Sequence, residues 1–247
     1  MSINLCIDWG NSSVKAAIFN DEQIVESVTF SENEAEKVLS SLIAAHKPVK
    51  AILSSVVFHP VGIEQMLRDQ IKPFVKLDSN TSLPIINAYA SSGTLGTDRV
   101  ALATAAHLAN PAKNNLVISL GTCITYNFVQ KNRTFRGGAI SPGLHMRLKA
   151  MTQFTDKLPE VSVEGELLLL GYDTETCMRS GAIFGMAAEI DGMIKEFENL
   201  YPDFNAVLTG GDAPFFAGKL KSKIFADPDM LMKGLNLILK YNAPIPR

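Results

Sequence analysis

Apolar positions along the chain fall into short β-rich runs and longer runs at helical spacing. Leu5–Ile7, Val14–Phe19 and Gln23–Phe30 predict three strands, broken by turn residues at Gly10–Ser13 and Asn20-Asp21-Glu22. From Ser31 to His46 a capping serine precedes apolar Val38, Leu39, Leu42 and Ile43, which share one helix face. Lys50–Val57 predicts a buried strand and Val61–Ile71 a short helix, and the alanine-rich run from Gly96 predicts a helix ending at Asn110-Pro111. The pattern then restarts, with strands predicted at Leu116–Ser119, Thr122–Val129 and Thr134–Ile140. Gly137–Met151 reads as a loop followed by a helical tail, and Thr174–Leu200 as a long helix whose Gly181 and Gly185 are spaced for close packing. Phe204–Ala213 is a strand ending in a diglycine turn, and residues 227–241 form a closing amphipathic helix.

The restart is a repeat. "LCIDWGNSSVKAAIF" from Leu5 and "LVISLGTCITYNFV" from Leu116 match Leu5 to Leu116, Ile7 to Ile118 and Gly10 to Gly121, with Asn11 falling on Thr122. A period near half the chain implies two copies of one α/β unit, residues 1–112 and 113–247, with a ligand expected between them.

Composition narrows the field. The 247 residues carry 47% hydrophobic and 19% charged side chains and a net charge of −2, which suits a globular protein and offers no basic surface for nucleic acid or membrane. Lys219, Lys221 and Lys223 read as a solvated helix face. No apolar run reaches the roughly 20 residues of a membrane span. "MSINLCIDWG" has no secretory-signal pattern, and Cys6, Cys123 and Cys177 are odd in number and widely spaced, so a reduced, cytoplasmic protein is expected. His46, His59, His107 and His145 lack metal-ligand spacing, and GxxxxGK[ST], GxGxxG and GxSxG motifs are absent.

The chemistry gathers at the turns. Glycine lets backbone N–H groups converge on an anion, and small hydroxyls add donors without blocking access. Gly10–Ser13 and Gly121-Thr122 both have this composition, and Thr209–Gly211 adds a third strand-end turn where a flat base or ribose could lie against backbone. Asp8 ends the first strand either as an incidental hairpin acid or as a phosphate-side carboxylate. In the second case it requires Mg²⁺, bound directly or through water. Lys15 reads equally as a phosphate ligand or as an exposed strand residue. Asp98 and Arg99 open a helix after a glycine-rich loop. There Asp98 is either a favourable charge on the helix dipole or a general base, with Arg99 holding an anion.

Together these segments resemble the type III pantothenate kinase family, within the sugar kinase/actin superfamily. Asp8, Gly10, Asn11, Ser12 and Lys15 match its D-x-G-N-[ST]-x-x-K motif, and Tyr89, Leu95, Gly96, Asp98 and Arg99 match its substrate loop. "SSVV", "GGAISPGL", "GYDTETCMRSG" and "TGG" are similar to further family elements in order. The resemblance implies a duplicated RNase H-like (actin-like ATPase) α/β fold with two half-domains flanking a nucleotide cleft. It implies ATP-dependent phosphorylation of pantothenate, the first step toward coenzyme A, by a homodimer. Asp98 would be the catalytic base, with Tyr89, Gly96, Thr97, Asp98, Arg99 and Thr174 lining the pantothenate site. ATP would be held by Asp8, Trp9, Gly10, Asn11, Ser12, Ser13, Val14, Lys15, Gly121, Thr122, Gly210 and Gly211. Mg²⁺ would sit at Asp8, and a monovalent cation (K⁺ or NH₄⁺) at the position of Ser119. The family's second phosphate motif departs here, because Ser119 and Asn127 stand where it has two acids, and Ser92 replaces a proline of the substrate loop. Those departures leave two alternatives: a regulatory homologue in the manner of Bvg accessory factor, or a kinase for another small hydroxy acid.

Overall fold

The computed structural model describes residues 2–243. Its first sheet is built on the predicted hairpin, with β1 (Ile3–Trp9) antiparallel to β2 (Val14–Asn20) and Asp8 opposite Lys15. On its other side β1 lies parallel to β4 (Lys50–Ser55), which sets Asp8 beside Ser54. With β3 (Gln23–Phe30) and β5 (Phe74–Lys76) the strand order is β3-β2-β1-β4-β5. Leu5, Cys6 and Ile7 are all fully buried because the central strand is covered on both faces, which is why its apolar residues run on without alternation. Leu5, Ile7 and Ile18 pack under α1 (Ala35–His46) and α2 (Val61–Gln70) through Leu39, Leu42, Ile63 and Leu67. Cys6, Phe19 and Ile52 pack under α3 (Thr97–Ala109) and α7 (Met230–Asn242) through Val100, Ala101, Leu235 and Leu239. These two helices approach so closely that a Cβ at Gly234 would run into the backbone of Ala101.

The second sheet repeats the first. β7 (Asn114–Leu120) pairs antiparallel with β8 (Cys123–Val129) and parallel with β10 (Phe204–Thr209), and with β9 (Thr134–Pro142) and β11 (Phe225–Ala226) they make five neighbouring strands, β9-β8-β7-β10-β11, of a six-stranded sheet. This is the first sheet's order with each strand replaced by its counterpart, so the sequence repeat is a structural duplication. Leu116, Ile118 and Leu120 pack on α5 (Thr174–Leu200) through Ile183, Met186 and Ile190. α4 (Leu144–Gln153) and α6 (Ala213–Ala217) complete the helices of this sheet, and the short β6 (Ile86–Asn87) pairs with Thr134 and Phe135 at the start of β9.

Several expectations need correction. One compact unit runs from the N-terminus to Pro111 and also takes in Asn132–Arg136 and the chain from Asp229 onward; the other holds Ala112–Lys131 and Gly137–Pro228. A single cut at residues 112/113 misses the return of α7, which buries its apolar face on the first sheet. Gly137–Met151 is not a loop: it continues β9 to Pro142 and then forms most of α4. Gly181 and Gly185 support no close helix packing, since nothing lies within 4 Å of a Cβ built at either. Lys219, Lys221 and Lys223 stand in turns and coil after α6, not on a helix face.

Candidate active site

In the first unit the chemistry-bearing residues collect at the carboxyl ends of the parallel strands β1 and β4. Gly10 N–H donates to the Ser13 carbonyl over 3.1 Å and closes the turn after β1. A Cβ at Gly10 would lie 3.2 Å from that same carbonyl oxygen, tighter than an ordinary contact. Asn11, Ser12 and Ser13 stay exposed, so small hydroxyl and amide groups and backbone donors face solvent. Val14 and Trp9 are buried and anchor the two ends of the turn.

Asp8 is held from behind. Ser54, fully buried, donates its hydroxyl to Asp8 Oδ1 over 3.2 Å, and its oxygen lies 2.9 Å from Thr97 Oγ1. A serine has one hydroxyl proton, so with that proton on Asp8 the Thr97 hydroxyl donates to Ser54. The chain Asp8–Ser54–Thr97 thereby ties the phosphate-type turn to the first residue of α3. Lys15 faces Asp8 across the hairpin and pairs with Asp229 Oδ1 at 3.2 Å. Burial, and after it the negative charge of Asp98, push the Asp8 carboxyl up to about 7, against the pull of the Ser54 hydroxyl and the Lys15 ammonium. A buried acid whose proton affinity is raised further by a neighbouring acid marks a place where a cation or proton is welcome.

Asp98 is the second residue of α3, and burial raises its carboxyl above the ordinary range even though the N–H groups of Arg99 and Asp98 itself favour the charged form. Gly96 caps this helix, and a Cβ there would collide with Asp98 Oδ1, so the glycine leaves room for the acid. Arg99 is only 5% exposed, and its guanidinium lies 5.7 Å from the centre of the Tyr89 ring, which stacks on Phe135 at 6.3 Å. A cavity beside α3 has apolar walls at Leu77, Leu83, Leu95 and Val100 and a polar lining that includes Asp78, Asn87 and Thr97.

The second unit presents the duplicated turns. Gly121-Thr122 follows β7 and is exposed, with Gly121 N–H donating to the Cys123 carbonyl and Gly143 N–H to the Thr122 carbonyl, each over 3.1 Å. Gly210-Gly211 follows β10, parallel to β7, and Gly210, at φ 96°, lies so close to Leu120 that only glycine fits. Ser119 sits between Thr209 and Thr125 in the sheet, and buried Asn127 gives its amide to Thr125 Oγ1 at 3.0 Å. Thr174 is the exposed first residue of α5, whose cap is Asp173 accepting from Thr176 N–H over 2.8 Å.

Asp8, the Gly10–Lys15 turn, Thr97, Asp98, Tyr89 and Arg99 are thus brought together within the first unit. Ser119, Gly121, Thr122, Gly210 and Gly211 gather at one end of the second sheet, and Thr174 is at the start of α5. Sequence reasoning missed Ser54 and Asp229 as partners of Asp8 and Lys15. For Ser54 the available signal was a hydroxyl ending the next apolar strand, at the level of Asp8 if the strands run parallel. Among the described residues no cluster of three His, Cys, Asp or Glu side chains is arranged for a metal. The donor set at Asp8 suits Mg²⁺, which takes one or two carboxylates together with water and phosphate oxygens. Ser119 and Asn127 do not suit a carboxylate-bound monovalent cation.

This duplicated pair of sheets is the actin-like ATPase fold, shared with ROK-type sugar kinases. Similar solved structures include a Baf family transcriptional activator from Campylobacter jejuni, at 20% identity and TM-score 0.63, with 98% of this chain and 100% of that one covered. A ROK family glucokinase from Streptomyces griseus aligns at 12% identity and TM-score 0.54, covering 98% and 99% of the two chains. Within that class the chain belongs to the type III pantothenate kinase family, whose profile matches residues 4–196. The type III pantothenate kinase of Bacteroides fragilis is 45% identical over 97% of this chain and 98% of its own length. That of Phocaeicola vulgatus is 42% identical over 97% and 99%.

Proposed function

We propose that this protein phosphorylates pantothenate with ATP to give 4′-phosphopantothenate, the first step of coenzyme A synthesis. The observation that carries this reading is the joining of Asp8 to the helix bearing Asp98 and Arg99, through Ser54 and Thr97. One hydrogen-bonded chain links a phosphate-type turn to a base and an anion-binding arginine. The substrate's primary hydroxyl attacks the γ-phosphorus as the bond to the β–γ bridging oxygen breaks. ADP leaves with that electron pair, and the hydroxyl proton passes to the Asp98 carboxylate. Little covalent chemistry falls to the protein in such a transfer, so positioning and charge neutralisation supply most of the acceleration.

Arg99 takes the carboxylate of pantothenate, steered by Tyr89, with Gly96 and Thr97 completing the wall. Thr174 keeps a substrate-contact role on its motif alone. In the first unit the Gly10–Lys15 turn is read as a phosphate ligand; in the second, Gly121-Thr122 is read likewise and Gly210-Gly211 as backbone for the nucleoside. Asp8 would hold Mg²⁺, directly or through water, and the ion would offset the negative charge of the phosphate oxygens. No step is assigned to K⁺ or NH₄⁺, because Ser119 brings no carboxylate. The resemblance extends to a cytoplasmic homodimer, and among the described residues no helix is long and apolar enough to cross a membrane.

The test is a coupled assay of ADP release with and without pantothenate, run in sodium and in potassium. Pantothenate-dependent turnover in sodium alone supports the reading and a dispensable monovalent cation. Absence of pantothenate-dependent turnover under every condition overturns it. Turnover restored by a different hydroxy acid would redirect the reading to another substrate.

A further inference from the structure

We propose that Glu189 and Arg147 are positioning residues for the second phosphate turn, their ion pair holding the β9–α4 corner against Gly121-Thr122. The inference rests on the reading of that turn as an ATP phosphate site. Neither residue belongs to a motif that the sequence singled out, and neither touches the turn directly.

Glu189 lies on α5 between the core-facing turns of Met186 and Ile190, in a row otherwise made of apolar residues. Three donors from three other elements converge on its carboxylate. Tyr126 on β8 donates to Oε1 over 3.0 Å and Ser141 on β9 to the same oxygen over 2.5 Å, while Arg147 on α4 pairs with Oε2. Burial alone would raise the Glu189 carboxyl, but the hydroxyl and guanidinium donors outweigh it and hold the group below its ordinary value. The same cluster raises the Tyr126 phenol, first through burial and then through the Glu189 charge, so Tyr126 stays a donor. A half-buried ion pair is a poor source of net stability, since desolvation offsets most of the attraction. What such a satisfied network does well is to fix the relative positions of the elements it joins.

The elements it fixes lead to the turn. Arg147 also donates through Nε to the Pro142 carbonyl over 2.8 Å, and its Nη2 lies 3.3 Å from Ser141 Oγ. The guanidinium fork thus grips the last two residues of β9. The next residue, Gly143, donates its N–H to the Thr122 carbonyl over 3.1 Å. A Cβ on Gly143 would run into the carbonyl oxygens of both Gly121 and Thr122, so the two backbones are in contact with no slack. A shift of the corner therefore moves the turn or breaks its hydrogen bond. The turn has no carboxylate of its own at Ser119 or Asn127, and in this chain the charged groups that define its place act from behind.

The experiment measures binding of a non-hydrolysable ATP analogue with Mg²⁺ by calorimetry, on the full chain, together with KM for ATP and for pantothenate. Glu189→Gln keeps the shape and removes the charge. It is expected to weaken the analogue and raise KM for ATP about tenfold, the scale of mutations that act through a connecting network, with KM for pantothenate unchanged. Arg147→Lys keeps the charge but loses the fork on Pro142, and is expected to move the same two readouts in the same direction by less. It serves as the second variant if Glu189→Gln does not melt cooperatively. Glu26→Gln, which alters an exposed pair with His46, is the control and is expected to match the wild type. Unchanged nucleotide affinity in a folded variant overturns the inference, and so does an equal rise in both KM values. Wild-type protein that binds the analogue yet never phosphorylates pantothenate overturns the functional reading alone, and the affinity ratio still decides the clamp. Wild-type protein that binds no nucleotide overturns both.

Discussion

Asp8 and Ser54 stand side by side on parallel strands, and the buried Ser54 hydroxyl donates to Asp8 Oδ1 over 3.2 Å. That bond favours the ionised carboxylate and opposes the burial that pushes Asp8 up to about 7. Ser54→Ala is therefore expected to raise the Asp8 carboxyl further. A charge-assisted hydrogen bond of about 1.5 kcal/mol corresponds to about one pH unit. The acid limb of the pH–rate profile at limiting Mg²⁺ should move up by that amount. An unmoved limb would mean that Asp8 does not govern it.

The same carboxyl makes the nucleotide-free protein sensitive to pH. Asp8 ionises near 3.8 in the unfolded chain and at about 7 in the folded one, so the folded state holds the extra proton between those values. Stability from this group is complete below the unfolded value and is lost as pH rises through about 7. Asp98, also raised, adds to the same slope. Melting is expected at a lower temperature at about pH 8 than at about pH 5.5, and Asp8→Asn should flatten the difference. A steeper decline in Asp8→Asn would contradict this assignment.

Asp98→Asn should remove the proton acceptor and leave the helix start intact. Turnover is expected to fall by ~10²–10⁴-fold with pantothenate binding retained. Gly96→Ala should depress kcat as well, because its Cβ occupies the space of Asp98 Oδ1. Rates near wild type in Asp98→Asn would exclude it as the base.

Gly234→Ala tests packing apart from chemistry. The added methyl would meet the Ala101 backbone where α7 crosses α3, and overpacking of this kind costs about 1–3 kcal/mol. Thermal or urea unfolding should register that loss. A variant as stable as wild type would show that the helices can separate without cost.

Features written in neighbouring residues could be read from the sequence. The β1–β2 and β7–β8 hairpins, the glycine turns after them and the helix carrying Asp98 all follow from alternation, caps and turn chemistry within about ten residues. Pairings between distant segments could not be read in the same way. Ser54 meets Asp8 across 46 positions and Asp229 meets Lys15 across 214, and no local pattern encodes either distance. Gly181 and Gly185 show the opposite error, since their spacing suits a close contact that no neighbouring element makes. The segment from Gly137 misled because its glycines and Pro142 look like loop chemistry. In the fold they are the means by which the end of β9 and the start of α4 pass close to another turn.

The return of α7 to the first sheet bears on how the protein is made. Asp8 and Asp98 leave the ribosome early, but Leu235 and Leu239, which help to cover Cys6, Phe19 and Ile52, are translated more than a hundred residues later. Every residue of the second unit emerges before that cover does. Although its coding begins later, the second unit can finish folding first, and the half that bears both carboxylates waits for α7 with part of one apolar sheet face open.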